Sequence, residues 1–144
     1  RSLYEQIQQR QQAEAEEQRQ LQAQPEEKLT QNQHLYRRLC ELVKNPDVYT
    51  DADSNHETLA RLLGTNYQYV YAALRECADT TPADYLNRLR IQYAAQLLEK
   101  SDDPIGLIIE QSGFTNRTTF ARLFAAFYSM TPSEFRRAAR AEAK

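Results

Sequence analysis

Residues 113–132 read GFTNRTTFARLFAAFYSMTP, and a matching pattern occurs fifty residues earlier, where residues 63–82 read LGTNYQYVYAALRECADTTP. A Thr-Asn pair and a Thr-Pro pair coincide in the two copies, and the apolar residues between them follow the spacing i, i+3, i+4 and i+7. This spacing is typical of a helix with one buried face. Each copy therefore predicts a short helix, a glycine-containing turn and a second helix. The predicted buried residues are Val70, Ala73, Leu74 and Cys77 in the first copy and Phe120, Leu123, Phe124 and Phe127 in the second.

Glycine, proline and short polar residues mark the ends of these helices. Gly64 and Gly113 are predicted to end the two short helices, because glycine adopts the left-handed conformation that often follows a helix. Proline is favoured at the first helical position, so a helix is predicted to begin at Pro82. Ser54, followed three residues later by Glu57, predicts a capping box at the start of the first short helix.

A single connecting helix is predicted between the two copies, over residues 82–100. Its length is roughly 28 Å at about 1.5 Å per residue, and the helical repeat of DNA is about 34 Å. A rigid connector of this length can place two second helices in successive major grooves on one side of a duplex. The sequence thus predicts an all-α, double helix-turn-helix domain over residues 34–144. The first unit is expected at about 54–80 and the second at about 103–129.

Residues 1–33 differ in composition from the rest of the chain, with eleven glutamines and few large aliphatic residues. Glutamine, glutamate and alanine favour helix, but too few apolar residues recur at seven-residue intervals for a strong coiled coil. We expect a helical Gln/Glu-rich linker or weak coiled coil, with a break at Pro25, where Pro25, Glu26 and Glu27 form the first turn of a second helix. A solvated connecting helix is favoured over a dimerising coiled coil. The chain begins at Arg1 rather than Met, so we expect it to be part of a longer protein.

The composition argues against other classes of protein. The chain has only three glycines, which disfavours strand-rich folds and phosphate-binding glycine loops. Cys40 and Cys77 match neither a disulfide framework nor a zinc site and are expected to be reduced thiols. His34 and His56 have no Cys or His at metal-binding spacing, and no hydrolase or protease motif is present. We therefore expect no enzyme activity, no cofactor, no bound metal and no membrane contact, and a cytoplasmic location.

Five stretches of the chain occur in an order that resembles one known family over residues 34 to about 140. They are 85–90 (YLNRLR), 94–98 (AAQLL), 113–116 (GFTN), 120–124 (FARLF) and 130–136 (MTPSEFR). The chain is similar to the DNA-binding domain of the AraC/XylS family of bacterial transcription regulators, in which a helix joins two helix-turn-helix units. The resemblance implies sequence-specific binding of double-stranded DNA, regulation of transcription and a contact with RNA polymerase.

The residues expected to contact DNA lie on the second helix of each unit, opposite the predicted buried face. In the major groove, arginine forms bidentate hydrogen bonds with guanine and glutamine does so with adenine. Threonine either hydrogen-bonds to a base edge or contacts the thymine methyl group. The resemblance implies the same positions. The predicted base-contacting residues are Tyr67, Gln68, Tyr71 and Arg75 in the first unit and Arg117, Thr118, Ala121 and Arg122 in the second. The predicted phosphate-contacting residues are Asn66, Thr115, Asn116, Arg136 and Arg137.

Charge is divided unequally between the two units. Residues 34–85 contain five Lys or Arg and eight Asp or Glu, whereas residues 86–140 contain eight and five. Because phosphate attraction supplies much of the affinity for DNA, the second unit is better suited to bind it. The first unit also has Tyr71-Ala72 where the family often has a small residue and arginine, so it is expected to contact bases weakly or not at all. Tyr69 either packs against the preceding helix or faces solvent.

A second hypothesis remains open from the sequence. The acidic first half is also compatible with a degenerate helix-turn-helix domain that binds protein partners through Tyr67 and Tyr71. A homodimer, formed through the N-terminal helix or a segment upstream of Arg1, is a further expectation.

Overall fold

The computed structural model describes residues 2–25 and 28–143, and within these residues all regular secondary structure is α-helical. The all-α prediction is therefore confirmed. The helices are α1 Leu3–Ala23, α2 Gln31–Leu42, α3 Asp47–Thr50, α4 His56–Leu63, α5 Tyr67–Ala78, α6 Pro82–Lys100, α7 Ile105–Gln111, α8 Arg117–Tyr128 and α9 Pro132–Glu142.

The first unit consists of α4 and α5, packed against α2. Val70, Ala73 and Leu74 are fully buried, as their spacing predicts, and Cys77 is half-buried. Gly64 ends α4 with φ of 70°, in the left-handed conformation. The turn and the buried face of α5 therefore match the prediction.

The cap of α4 corrects one prediction. The N-cap is Asn55 and not Ser54: Asn55 Oδ1 accepts hydrogen bonds from the backbone N–H groups of Glu57 and Thr58, at 3.0 and 3.1 Å. Thr58 Oγ1 in turn accepts the Asn55 N–H at 3.2 Å. This is the reciprocal arrangement of a capping box, shifted by one residue. Ser54 is buried instead.

Helix α6 belongs to both hydrophobic cores. Thr81 Oγ1 caps it by accepting the Asp84 N–H at 3.2 Å, and Pro82 occupies its first turn as predicted. Leu86 is buried in the core of the first unit, and Leu98 is buried in that of the second. Because the same rigid helix contributes to both cores, it links the positions of the two units.

The second unit is built around a series of aromatic rings. Phe120, Phe124, Tyr128 and Phe135 are each less than 4% exposed, and successive ring centroids lie 4.9–5.6 Å apart. Such pairs stabilise a core beyond their buried area. Of the predicted buried residues, Phe120 and Phe124 are fully buried, while Leu123 and Phe127 are partly buried; Tyr128 was not predicted.

Helix α3 and the loop that follows it, which belong to the first unit, contact both α6 and the turn of the second unit. The buried guanidinium of Arg90 donates hydrogen bonds to the carbonyl oxygens of Tyr49, Asp51 and Ser54, at 2.7, 3.1 and 3.0 Å. Gly113 adopts φ of 95°, and a Cβ atom built there would lie 2.9 Å from the Tyr49 carbonyl oxygen. Glycine is required at this position both for its conformation and for the close approach of the first unit.

Helix α1 corrects the expectation of a solvated connecting helix. Ile7 is only 3% exposed and lies in the core of the second unit. Leu21, fourteen residues later, packs against the core of the first unit. Helix α1 thus lies along the double helix-turn-helix domain instead of projecting from it. Glu26 and Glu27 of the predicted first turn lie outside the described residues. Pro25 is not helical, and α2 begins later, at Gln31, with Thr30 as its cap.

Candidate nucleic-acid interface

Helix α8 presents two unpaired arginines to solvent. Arg117, Thr118, Ala121 and Arg122 are all exposed, opposite the buried Phe120 and Phe124. Their spacing places them on one side of the helix. Within residues 2–25 and 28–143, neither Arg117 nor Arg122 has a hydrogen bond or ion pair, so both guanidinium groups are available to an external acceptor.

Gly106, near the start of α7, makes space for one of these arginines. A Cβ atom at Gly106 would overlap the Arg117 Nη2 atom. The guanidinium of Arg117 therefore rests against the first turn of α7, which limits the directions that it can take. Sequence reasoning assigned no role to Gly106, because the contact joins two helices and leaves no periodic pattern.

Helix α5 presents a mainly aromatic surface. Tyr67, Gln68, Tyr71 and Arg75 are exposed, and the rings of Tyr67 and Tyr71 lie 5.0 and 5.8 Å from the ring of His56 on α4. These contacts hold the two tyrosines in place while leaving them 44% and 42% exposed.

Two further side chains of α5 complete the description of this surface. Tyr69 is 57% exposed, so it faces solvent and does not pack against the preceding helix. Arg75 lies 3.6 Å from a carboxylate oxygen of Asp79, and both side chains are exposed. The single cation among the predicted base-contacting residues of α5 thus has an acidic neighbour, in contrast to the arginines of α8.

The asparagines that precede α5 and α8 differ in whether their side chains cap the helix. Asn116 Oδ1 accepts the Thr119 N–H at 2.9 Å and caps α8. Asn66 occupies the same position before α5 but forms no capping hydrogen bond through its side chain. Thr115 and both asparagines are exposed. Helix N-termini have free N–H groups that can bind phosphate oxygens, and these residues border two such termini.

Arg136 makes internal contacts that the sequence did not predict. Its Nε donates to the Leu98 carbonyl oxygen and its Nη2 to that of Ser101, both at 3.1 Å. Arg140 also donates to Ser101, at 3.2 Å, and pairs with Asp102. These arginines satisfy carbonyl groups at the C-terminal end of α6, where cations are favoured. Arg137 is exposed, as a phosphate contact requires.

Most other arginines of the second unit are engaged within the domain, apart from the exposed Arg137 on α9. Arg90 is buried, Arg88 pairs with Glu14, and Arg136 and Arg140 bind the end of α6. Near α9, hydrogen bonds from the Thr131 backbone and side chain lower the pKa of Glu134, so its negative charge is retained. The arginines of α8 therefore face solvent without an acidic partner among the described residues.

Other ionisable groups belong to the cores. Burial raises the pKa of the Cys40 thiol and, to well above its ordinary value, that of the Tyr85 phenol. Both groups are neutral near pH 7. In the described part of the chain, no three His, Cys, Asp or Glu side chains are grouped so that they could hold a metal ion. No helix there is both long enough and apolar enough to cross a membrane.

Comparison with known proteins supports the architecture. A family model described as a helix-turn-helix domain matches residues 59–138. The uncharacterized HTH-type transcriptional regulator YisR of Bacillus subtilis is 33% identical over 79 residues, which cover 55% of this chain and 28% of YisR. The regulatory protein SoxS of Escherichia coli is 29% identical over 90 residues, covering 62% of this chain and 84% of SoxS. The chain belongs to the AraC family of helix-turn-helix proteins.

Solved structures of AraC-type domains share the fold. The C-terminal domain of the response regulator yesN from Fusobacterium nucleatum is 27% identical, with a TM-score of 0.60 over 69% of this chain and 98% of that domain. The DNA-binding domain of AdpA, solved with a target DNA, is 24% identical, with a TM-score of 0.63 over 72% of this chain and 94% of that domain. The AraC-type fold therefore includes α4 to α9, whose bounds lie almost entirely within the matched residues.

Proposed function

We propose that this AraC-type domain binds double-stranded DNA sequence-specifically and regulates transcription, with α5 and α8 in successive major grooves. The observation that supports this function most directly is the pair of exposed, unpaired arginines on α8, Arg117 and Arg122. Helix α6, roughly 28 Å long at about 1.5 Å per residue, separates α8 from the aromatic surface of α5. The names of the matched relatives, transcriptional regulators and a DNA-bound domain, support the same function.

The two helices are proposed to contribute differently. Arg117, Thr118, Ala121 and Arg122 contact bases, and Arg137 with the starts of α5 and α8, at Asn66, Thr115 and Asn116, contacts phosphates. Tyr67, Gln68, Tyr71 and Arg75 form the weaker contact of the first unit. Arg136, which also binds carbonyl oxygens at the end of α6, is proposed as a further phosphate contact.

The context of the domain is proposed from its family. DNA binding places it in the cytoplasm of a bacterium, without enzymatic activity of its own. A contact with RNA polymerase and pairing of chains through α1 or an upstream segment are consistent with the resemblance. The matched segments span only 28% of YisR but 84% of SoxS.

The experiment begins with selection of bound sites from random duplex, followed by anisotropy titration at several salt concentrations. Arg122→Ala is expected to weaken binding to the selected site by about 1–3 kcal/mol, because it removes a base contact in the major groove. Arg19→Ala, which removes an exposed arginine from α1, is the control. For the unsubstituted chain, the logarithm of the binding constant is expected to fall linearly with the logarithm of the salt concentration.

Two outcomes would contradict the proposal. The first is the absence of any selected sequence or of binding at low salt. The second is equal loss of affinity in the Arg122 and Arg19 variants, since that result would indicate a general charge effect. A flat salt dependence together with binding of a protein partner through Tyr67 and Tyr71 would instead support the interaction-module hypothesis.

A further inference from the structure

Helix α1 contacts both units and the helix between them. Its N-terminal half contacts the second unit: the Tyr4 ring lies 5.3 Å from the Phe135 ring in an edge-on arrangement, and Ile7 is buried in the same core. One turn further on, Gln11 Nε2 donates to the Tyr128 hydroxyl at 3.0 Å. This end of α1 is therefore attached to α8 and α9 by apolar and polar contacts.

The C-terminal end of α1 is attached to the first unit. Leu21 packs against its core. Arg37 on α2 donates hydrogen bonds through Nη2 to the carbonyl oxygens of Leu21, Gln22 and Gln24, with distances of 3.2 Å to Leu21 and 2.6 Å to Gln24. The last carbonyl groups of a helix lack the usual helical N–H partners, and Arg37 joins this end of α1 to α2 by binding them.

Between these ends, one ion pair connects α1 to α6. Glu14 pairs with Arg88, and both side chains are only about one-third exposed, at 38% and 35%. Next to this pair lies a cavity of about 320 Å³, bordered by α1, α2 and α6 and lined in part by Gln18, Tyr36 and Cys40. Gln8 Nε2 on α1 also donates to a carboxylate oxygen of Glu99 on α6, at 3.5 Å. Helix α1 is thus held at its two ends and by polar contacts between them, with a cavity beside its centre.

We infer that α1 is a brace that fixes the angle between the two units and thereby determines which spacing of DNA half-sites the domain accepts. The inference about spacing rests on the proposed function. A helix attached to both units on the same side of α6 resists bending and twisting of α6. Each added base pair rotates a half-site by about 35° around the duplex. A fixed angle therefore permits simultaneous contact of both units at only one spacing.

The brace is tested by reversing the charge of its central contact. Glu14→Lys places two cations against each other at Arg88, whereas Glu16→Lys makes the same change of charge at an exposed position whose partner, Arg19, is also on α1. The double variant Glu14→Lys/Arg88→Glu restores opposite charges. Double electron–electron resonance on the full chain measures the distance between the units. Nitroxide labels are attached to cysteines introduced at exposed positions, Arg61→Cys on α4 and Glu110→Cys on α7. The native cysteines are replaced by serine, Cys40→Ser and Cys77→Ser, so that only these two positions are labelled.

The expected distance distribution is narrow in the unsubstituted and Glu16→Lys chains, broad in Glu14→Lys, and narrow again in the double variant. A second measurement compares affinities for duplexes that differ in the spacing between the half-sites. The ratio of affinities for the best and the next-best spacing is expected to be roughly tenfold in the unsubstituted chain and less than about threefold in Glu14→Lys, because simultaneous contact no longer depends on one geometry. Affinity for a duplex with only the second-unit half-site is expected to stay within about twofold of the Glu16→Lys control.

The two measurements separate this inference from the proposed function. If the unsubstituted chain selects no DNA sequence, the proposed function fails, and the distance distributions still decide whether α1 restrains the units. If the chain binds its half-sites but Glu14→Lys changes neither the distance distribution nor the spacing preference, the brace is wrong. Circular dichroism melting of each variant confirms that the chains compared are folded.

Discussion

The two turn glycines both have positive φ, 70° at Gly64 and 95° at Gly113, but their surroundings differ. A Cβ atom added to Gly64 would have no atom within 4 Å, whereas one added to Gly113 would meet the carbonyl oxygens of Thr50 and Tyr49 at 2.8 and 2.9 Å. Gly64→Ala is therefore expected to cost about 1–2 kcal/mol, the penalty for a left-handed residue with a Cβ atom. Gly113→Ala is expected to cost about 2–5 kcal/mol, because overpacking adds about 1–3 kcal/mol.

Urea unfolding of the two variants measures the difference between these free energies. Equal losses would show that the contact between Gly113 and the first unit relaxes without cost. The prediction is specific to the backbone contact, since both substitutions add the same single carbon atom.

Gly106 is expected to control the direction of the Arg117 side chain. Gly106→Ala forces the guanidinium to move but favours helix formation by roughly 0.5–1 kcal/mol, so affinity for the selected DNA site is expected to fall while thermal stability holds or rises. The loss is expected to lie within the about 1–3 kcal/mol typical of an arginine base contact. Anisotropy titration against the selected site measures it.

A double-mutant cycle separates this effect from a general disturbance of α7. In an Arg117→Ala background, Gly106→Ala is expected to leave affinity unchanged, because the side chain that it displaces is already absent. A further loss in that background would refute the positioning role of Gly106.

At the scale of single elements, the repeat was sufficient to predict most of the domain. The bounds of α6 and the buried faces of α5 and α8 follow from helical periodicity and from Thr-Pro caps, which are local signals. The cap of α4 was misplaced because Ser54 and Asn55 are both good N-cap residues, and only the backbone conformation selects between them. Periodicity thus predicted where helices lie better than which residue begins them.

The N-terminal helix shows the limit of sequence reasoning at this scale. Only three of its apolar residues, Tyr4, Ile7 and Leu21, pack against the cores of the domain, and they are spread over a segment rich in glutamine. So sparse an apolar pattern resembles that of a solvated helix. The contacts of Arg37 and Arg136 were likewise not predictable, because their partners are carbonyl groups distant in sequence.

For the molecule as a whole, the shared helix α6 and the contacts of Arg90 and Gly113 imply a single unfolding transition. Leu86→Ala, in the first core, is expected to destabilise by about 2–5 kcal/mol and to lower protection of amide groups in both units by similar amounts. Hydrogen exchange followed by mass spectrometry of peptides from α5 and α8 measures this. Loss of protection confined to α5 would show that the units unfold independently.

The unpaired arginines of α8 also give the approach to DNA a direction. Long-range attraction accelerates encounter and weakens steeply with salt. Residues 86–140 carry more basic than acidic residues, whereas residues 34–85 are acidic overall. The arginines of α8 have no acidic partner among the described residues, whereas Arg75 on α5 lies near Asp79. The second unit is thus suited to reach the duplex first. The tyrosines of α5 then make their contacts when the first unit is already close to the groove. The association rate is thus expected to depend mainly on the second unit, and the lifetime of the complex on both units.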